Sequence, residues 1–102
     1  MYDFNNLKKL KNIGESAPES MQAFKAFDEL ALKEGAIPKK YKELIALAVA
    51  LTTQCSYCLE VHRKAAIKAG ATNEELAETV FIASALRAGA ALTHGTHLFM
   101  DK

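Results

Sequence analysis

Two stretches of this chain, residues 44–51 (LIALAVAL) and 80–92 (VFIASALRAGAAL), are apolar on more than one face. A surface helix carries a single apolar stripe, whereas a helix that is apolar all round must be covered on several sides. The chain has 102 residues. One domain of that size buries roughly two-thirds of the surface its unfolded chain exposes, which leaves little room to enclose two such helices. The excess apolar surface predicts contacts between subunits, a homo-oligomer. A central helix in a small bundle is the plainer alternative.

The rest of the chain also reads as helix. Hairpin turns of the Asn-Gly or Asp-Gly type are missing, as is any sustained alternation of β-branched residues. Leu7, Leu10 and Ile13 continue a three-residue spacing from Phe4, capped by Asp3, and predict a short helix ending at Gly14. Ser16 and Glu19 have capping-box spacing, and Pro18 suits a first turn, so a second helix is expected to run to about Glu34 and stop at Gly35. Pro38 opens a third, reaching Gln54. Thr53 is a candidate cap for a fourth, which ends at Gly70. Thr72 and Glu75 form a second capping box, opening a long fifth helix. The tail THGTHLFMDK adds a helical turn or two. Phe24, Phe27 and Phe81 are read as core. The expected fold class is all-α, a compact bundle of about five to six helices in a single domain, residues 1–102.

Composition narrows the function classes. With 13 Lys+Arg against 12 Asp+Glu, the net charge is +1. That balance offers no electrostatic footprint for nucleic acid or an anionic membrane, and Lys8, Lys9 and Lys11 read as a small solvated face. The longest charge-free run, residues 44–59, is shorter than the roughly 20 residues of a membrane-spanning helix. The segment MYDFNNLKKLKNIGE lacks the continuous apolar stretch of a signal peptide. The expected location is cytoplasmic.

The cysteines then become the feature to explain. Cys55 and Cys58 are spaced C-x-x-C and close too small a loop to staple a fold. In a reducing compartment such a pair suggests redox chemistry or a metal. They share a helix face and lie near a predicted helix start, where unpaired N–H groups and the dipole favour thiolate. Cys58 and His62 are i,i+4, so an imidazole lies one turn from a thiol. Glu43 would be about 18 Å from Cys55 in an unbroken helix. A chain reversal at 53–55 would instead set Glu43 opposite residues 62–66, where its carboxylate could orient His62. In a metal reading, Cys55, Cys58 and His62 supply three ligands and His94 or His97 a fourth. Arg87, inside an apolar helix, either pairs with a carboxylate across a subunit interface or snorkels to water.

The pattern Glu43-x11-Cys55-x2-Cys58-x3-His62 resembles the alkylhydroperoxidase D-like core domain of the carboxymuconolactone decarboxylase superfamily. Its flanks, from the Pro-Lys start through Glu-Leu-Ile-Ala-Leu-Ala to Gly-Ala-Thr-x-Glu-Glu, are also similar across residues 37–79. The resemblance implies an all-α homo-oligomer, a trimer or a hexamer. It implies peroxidase or disulfide-reductase activity at the dithiol. Cys58 would attack the peroxide, Cys55 would resolve the sulfenic acid to a disulfide, and His62 with Glu43 would deprotonate Cys58. The substrate would be a hydroperoxide or a disulfide, and the reductant an external dithiol, lipoyl-type or thioredoxin-like. The redox-active pair is the Cys55–Cys58 disulfide, whose reduced dithiol stores the electrons, so no bound cofactor is expected. Where the characterised peroxidase has His just before the second cysteine, this chain has Tyr57, a poor base at neutral pH. Two other readings are a carboxymuconolactone decarboxylase-type enzyme, which needs no dithiol, and a non-catalytic metal-binding or assembly protein.

Overall fold

The structure, a computed structural model, describes residues 3–99 and 101. Met1, Tyr2, Met100 and Lys102, parts of the predicted N-terminal and tail segments, lie outside the described residues, as does the side chain of Phe4. Among the described residues five α-helices follow one another: α1 (Leu10–Ser16), α2 (Pro18–Leu32), α3 (Lys39–Thr53), α4 (Ser56–Lys68) and α5 (Asn73–His94). Short 3-10 segments precede α1 (Phe4–Lys9) and follow α5 (Gly95–Phe99). Among the described residues there is no strand.

The core lies where α3 packs against α4 and α5. Leu44, Leu47 and Ala66 are buried together, with Leu59, Ala71 and Leu76 against them. Leu44, Leu47 and Ala50 mark one buried face of α3 at helical spacing. Ile45 and Val49 lie on another face of α3 and are half exposed. The helix is therefore apolar on two faces, one of which the chain leaves open.

Local chemistry accounts for the helix ends. The Thr72 capping box forms as expected: Thr72 Oγ1 accepts from Glu75 N–H at 3.1 Å, and Glu75 Oε1 accepts from Thr72 N–H at 2.9 Å. Gly70 adopts φ +100, a conformation open to glycine, and closes the end of α4. Gly14 does not stop the first helix. It lies inside α1, where an added Cβ would stand 3.1 Å from Met21 Cγ, a tight contact between α1 and α2. The Ser16 capping box does not form either. Ser16 is the last residue of α1, Ala17 is the N-cap of α2 without a side-chain bond, and Pro18 begins that helix. Thr53 belongs to α3, and Cys55 caps α4 instead.

The molecule is more extended than the compact bundle expected. Its radius of gyration is 17.2 Å, against about 13 Å for a packed chain of this length. The cause is α2, which packs on α1 and barely on α3. Phe24 and Phe27 on α2 and Phe81 on α5 are exposed, not core. The continuous helical stretch Asn73–Phe99 is long and apolar enough to cross a membrane by length and composition, and only 11% of its apolar window is buried. This stretch tolerates scattered charges, which is why a search for charge-free runs passes over it.

Candidate active site

The turn between α3 and α4 creates the site. Gln54 takes a left-handed backbone (φ 57) and ends α3, its N–H and that of Cys55 both closing on the Ala50 carbonyl. Cys55 is then extended and becomes the N-cap of α4. Its sulfur accepts from the Cys58 N–H at 3.3 Å, as a capping oxygen would. The two cysteines form a disulfide, with Cα atoms 5.3 Å apart. Both are half-buried. The sulfur at the positive end of α4 is thus that of Cys55, and reduction would leave it where thiolate is favoured.

The same reversal lays α4 back along α3 and brings Glu43 to His62. Glu43 is 2% exposed, and its Oε1 accepts from His62 Nδ1 at 2.7 Å. An ionised carboxylate only accepts, so Nδ1 carries the proton and Nε2 of the neutral ring is left with the lone pair. In the disulfide state His62 makes no hydrogen bond to either sulfur among the described residues.

A third side chain, not anticipated from the sequence, completes the arrangement. Lys39 Nζ lies 2.8 Å from the other carboxylate oxygen, Glu43 Oε2. Burial by itself would raise the Glu43 carboxyl, but its hydrogen bonds to Lys39 and His62 hold it below the usual carboxylate range. The signal was legible: Lys39 stands four residues before Glu43 on the same helix. Alongside, Lys40 pairs with Glu75 of α5 at 2.9 Å and lowers its carboxyl in turn.

Tyr57, between the cysteines, accepts from Asp3 N–H and Asn6 Nδ2, each at 3.2 Å. The N-terminal 3-10 segment is thereby tied to the C-x-x-C turn. Arg87 donates to the Thr52 carbonyl at the negative end of α3, within the same chain. It edges an open cleft of about 260 Å³ whose wall includes Leu51, Gln54, Val80 and Ser84. His94 and His97 stack edge to face at 5.0 Å. Among the described residues no three His, Cys, Asp or Glu side chains converge as metal ligands.

The chain and its fold are similar to known proteins. The chain is 36% identical to the apo form of a carboxymuconolactone decarboxylase family protein from Legionella pneumophila, with a TM-score of 0.77 over 90% of this chain and 82% of that one. A solved protein from Methanobacterium thermoautotrophicum is 34% identical, with a TM-score of 0.81 over 87% of this chain and 97% of that one. An uncharacterised protein from the cox locus of Paracoccus denitrificans is 40% identical over 97 residues, 92% of this chain and 87% of its own length. An uncharacterised protein of Cupriavidus necator is 37% identical over 70 residues, 69% of this chain and 62% of its own length. The sequence profile of the carboxymuconolactone decarboxylase family matches residues 18–100. The chain belongs to the carboxymuconolactone decarboxylase family.

Proposed function

We propose that this chain is a thiol oxidoreductase that reduces hydroperoxides or disulfides through Cys55 and Cys58. The observation that carries the reading is a C-x-x-C disulfide at the start of α4 in a chain that pairs Glu43 with His62 on α4. In the reduced enzyme, His62 Nε2 takes the proton of Cys58, and Glu43 stabilises the imidazolium through Nδ1. The Cys58 thiolate attacks the distal oxygen of the hydroperoxide. An S–O bond forms, the O–O bond breaks, and the leaving alkoxide takes a proton to become an alcohol. Cys55 attacks the Cys58 sulfenic acid, releasing water and forming the disulfide. An external dithiol, lipoyl-type or thioredoxin-like, returns both sulfurs to thiols and is itself oxidised. The electrons are stored in the protein's own sulfur atoms, so the cycle as written uses no bound cofactor. A cytoplasmic setting, which is reducing, suits it. The N-cap position of Cys55 suits it as the thiol that is readily ionised for the resolving step. Tyr57 stands where the characterised peroxidase has His, and its hydroxyl is tied to Asn6, so dithiol–disulfide exchange is favoured over fast peroxide turnover.

We further propose that the chain works as a homo-oligomer, a trimer or a hexamer. Its accessible surface is 8163 Å², against about 5,700 Å² for a globular monomer of its mass. The excess, about 2,500 Å², matches what one partner gives up in a large obligate interface. A groove of about 310 Å³ between α3 and α5, lined by Tyr41, Ile45, Ala48 and Ile82, offers a seat for a second copy. A bilayer is a poorer cover for α5, because Arg87 near its middle would cost about 2.5–3.5 kcal/mol there.

The test is peroxide consumption coupled to dithiothreitol, with Cys58→Ser and Cys55→Ser alongside. The mechanism predicts loss of turnover in Cys58→Ser and a trapped sulfenic acid in Cys55→Ser. Unchanged turnover in Cys58→Ser would remove it.

A further inference from the structure

We propose that Lys39 is a positioning residue of this site, the third member of a Lys39–Glu43–His62 chain that keeps the Glu43 carboxylate ionised and aimed at His62. The inference rests on the relay reading of Glu43 and His62 and extends it by one residue.

Lys39 is the first residue of α3, and that helix carries no acidic residue in its first turn. A cation there opposes the helix dipole, so helix stability does not account for it. Its contacts do. Lys39 Nζ bonds Glu43 Oε2 at 2.8 Å and the Leu32 carbonyl, at the end of α2, at 2.9 Å. The neighbouring lysines are engaged elsewhere: Lys40 with Glu75, and Lys42 with the carbonyls of Ala31 and Lys33.

Glu43 has two oxygens, and each has one partner. Lys39 takes Oε2 and His62 takes Oε1. These are the charged or titratable groups that reach Glu43 among the described residues, one from its own helix and one from α4; on α5, Glu75 is held by Lys40 instead. The Glu43 side chain is 2% exposed while that of Lys39 is 42% exposed. Lys39 is thus the route by which the buried carboxylate is connected to solvent and compensated. Without it, Glu43 would face burial with a single partner, would protonate at a higher pH, and in that form would no longer be an anion bound to His62. Through Leu32, the same ammonium also ties the end of α2 to the relay.

The experiment reads the thiol itself, without peroxide turnover. In the full chain carrying Cys55→Ser, Cys58 is the single thiol, and its alkylation by iodoacetamide is followed against pH. Lys39→Met should shift the acid limb of the profile to higher pH, making alkylation about tenfold slower well below the parent's midpoint, which corresponds to one pH unit. Lys39→Arg, which keeps the charge, should stay within about threefold of the parent. In the Glu43→Gln background, Lys39→Met should add nothing. Lys39→Gln repeats the test should Lys39→Met fail to fold. A Lys39→Met profile that superimposes on the parent while Glu43→Gln shifts it overturns the role of Lys39 alone. Equal slowing by Lys39→Met with and without Glu43 assigns Lys39 a merely structural part and also overturns it. A Glu43→Gln profile that superimposes on the parent removes the relay reading, and the inference with it.

Discussion

Glu43 concentrates the energetic risk of this fold into one side chain. A carboxylate that is 2% exposed survives as an anion because both its oxygens are bonded, to Lys39 and to His62. The consequence for pH follows from the direction of its shift. Burial raises the carboxyl, the two partners lower it further, and the net folded value lies below the ordinary one. A depressed carboxyl stabilises the fold above its unfolded pKa of about 4.3, and that contribution is lost as pH falls through the lower folded value. Thermal melts should therefore show stability decaying on the acid side of about pH 4, with a shallower decay in Glu43→Gln. Equal slopes in the two proteins would place the acid-sensitive group elsewhere. The Glu43–His62 meeting could be anticipated by counting back from a reversal at 53–55. A Lys four residues before a Glu usually marks a solvated pair, so that spacing alone does not single out Lys39.

At the scale of helices, local signals were legible where both partners are close in sequence. The Thr72–Glu75 box is complete, and removing the hydroxyl with Thr72→Ala should cost about 1 kcal/mol, or roughly 4–8 °C in Tm. Gly70→Ala should cost about 1–2 kcal/mol, since φ +100 is closed to a β-carbon. Melts at fixed protein concentration check both, because an oligomer's Tm depends on concentration. Ser16 and Thr53 have the right residue type for a cap but the wrong backbone. Ser16 is held helical by α1, which continues through Gly14 to meet Met21, and Thr53 by the last turn of α3. Cys55 won the cap of α4 because the left-handed Gln54 puts the first extended residue there. Residue type alone does not show where such a turn falls.

Over the whole molecule, periodicity showed which faces are apolar but not what covers them. Phe24, Phe27 and Phe81 carry helical spacing and are nevertheless exposed in one chain. The extended outline and the bare face of α5 have the same origin: a core confined to α3, α4 and α5, with α1 and α2 standing off it. Sedimentation at micromolar concentration should give a mass of three or six chains. Phe81→Glu combined with Leu86→Glu, both on exposed positions of α5, should lower that mass while leaving the helix content intact. A wild-type monomer would contradict the oligomer.

The central claim is that Cys58 and Cys55 turn over as a dithiol. Its most direct measurement is a single turnover: fully reduced protein mixed with one equivalent of an alkyl hydroperoxide, without reductant, followed by mass spectrometry. The account predicts one alcohol formed per chain, loss of two hydrogens from the protein, and a Cys55–Cys58 disulfide, with no consumption by Cys58→Ser. Peroxide consumed at the wild-type rate by Cys58→Ser, or by wild type with both thiols left reduced, would contradict it.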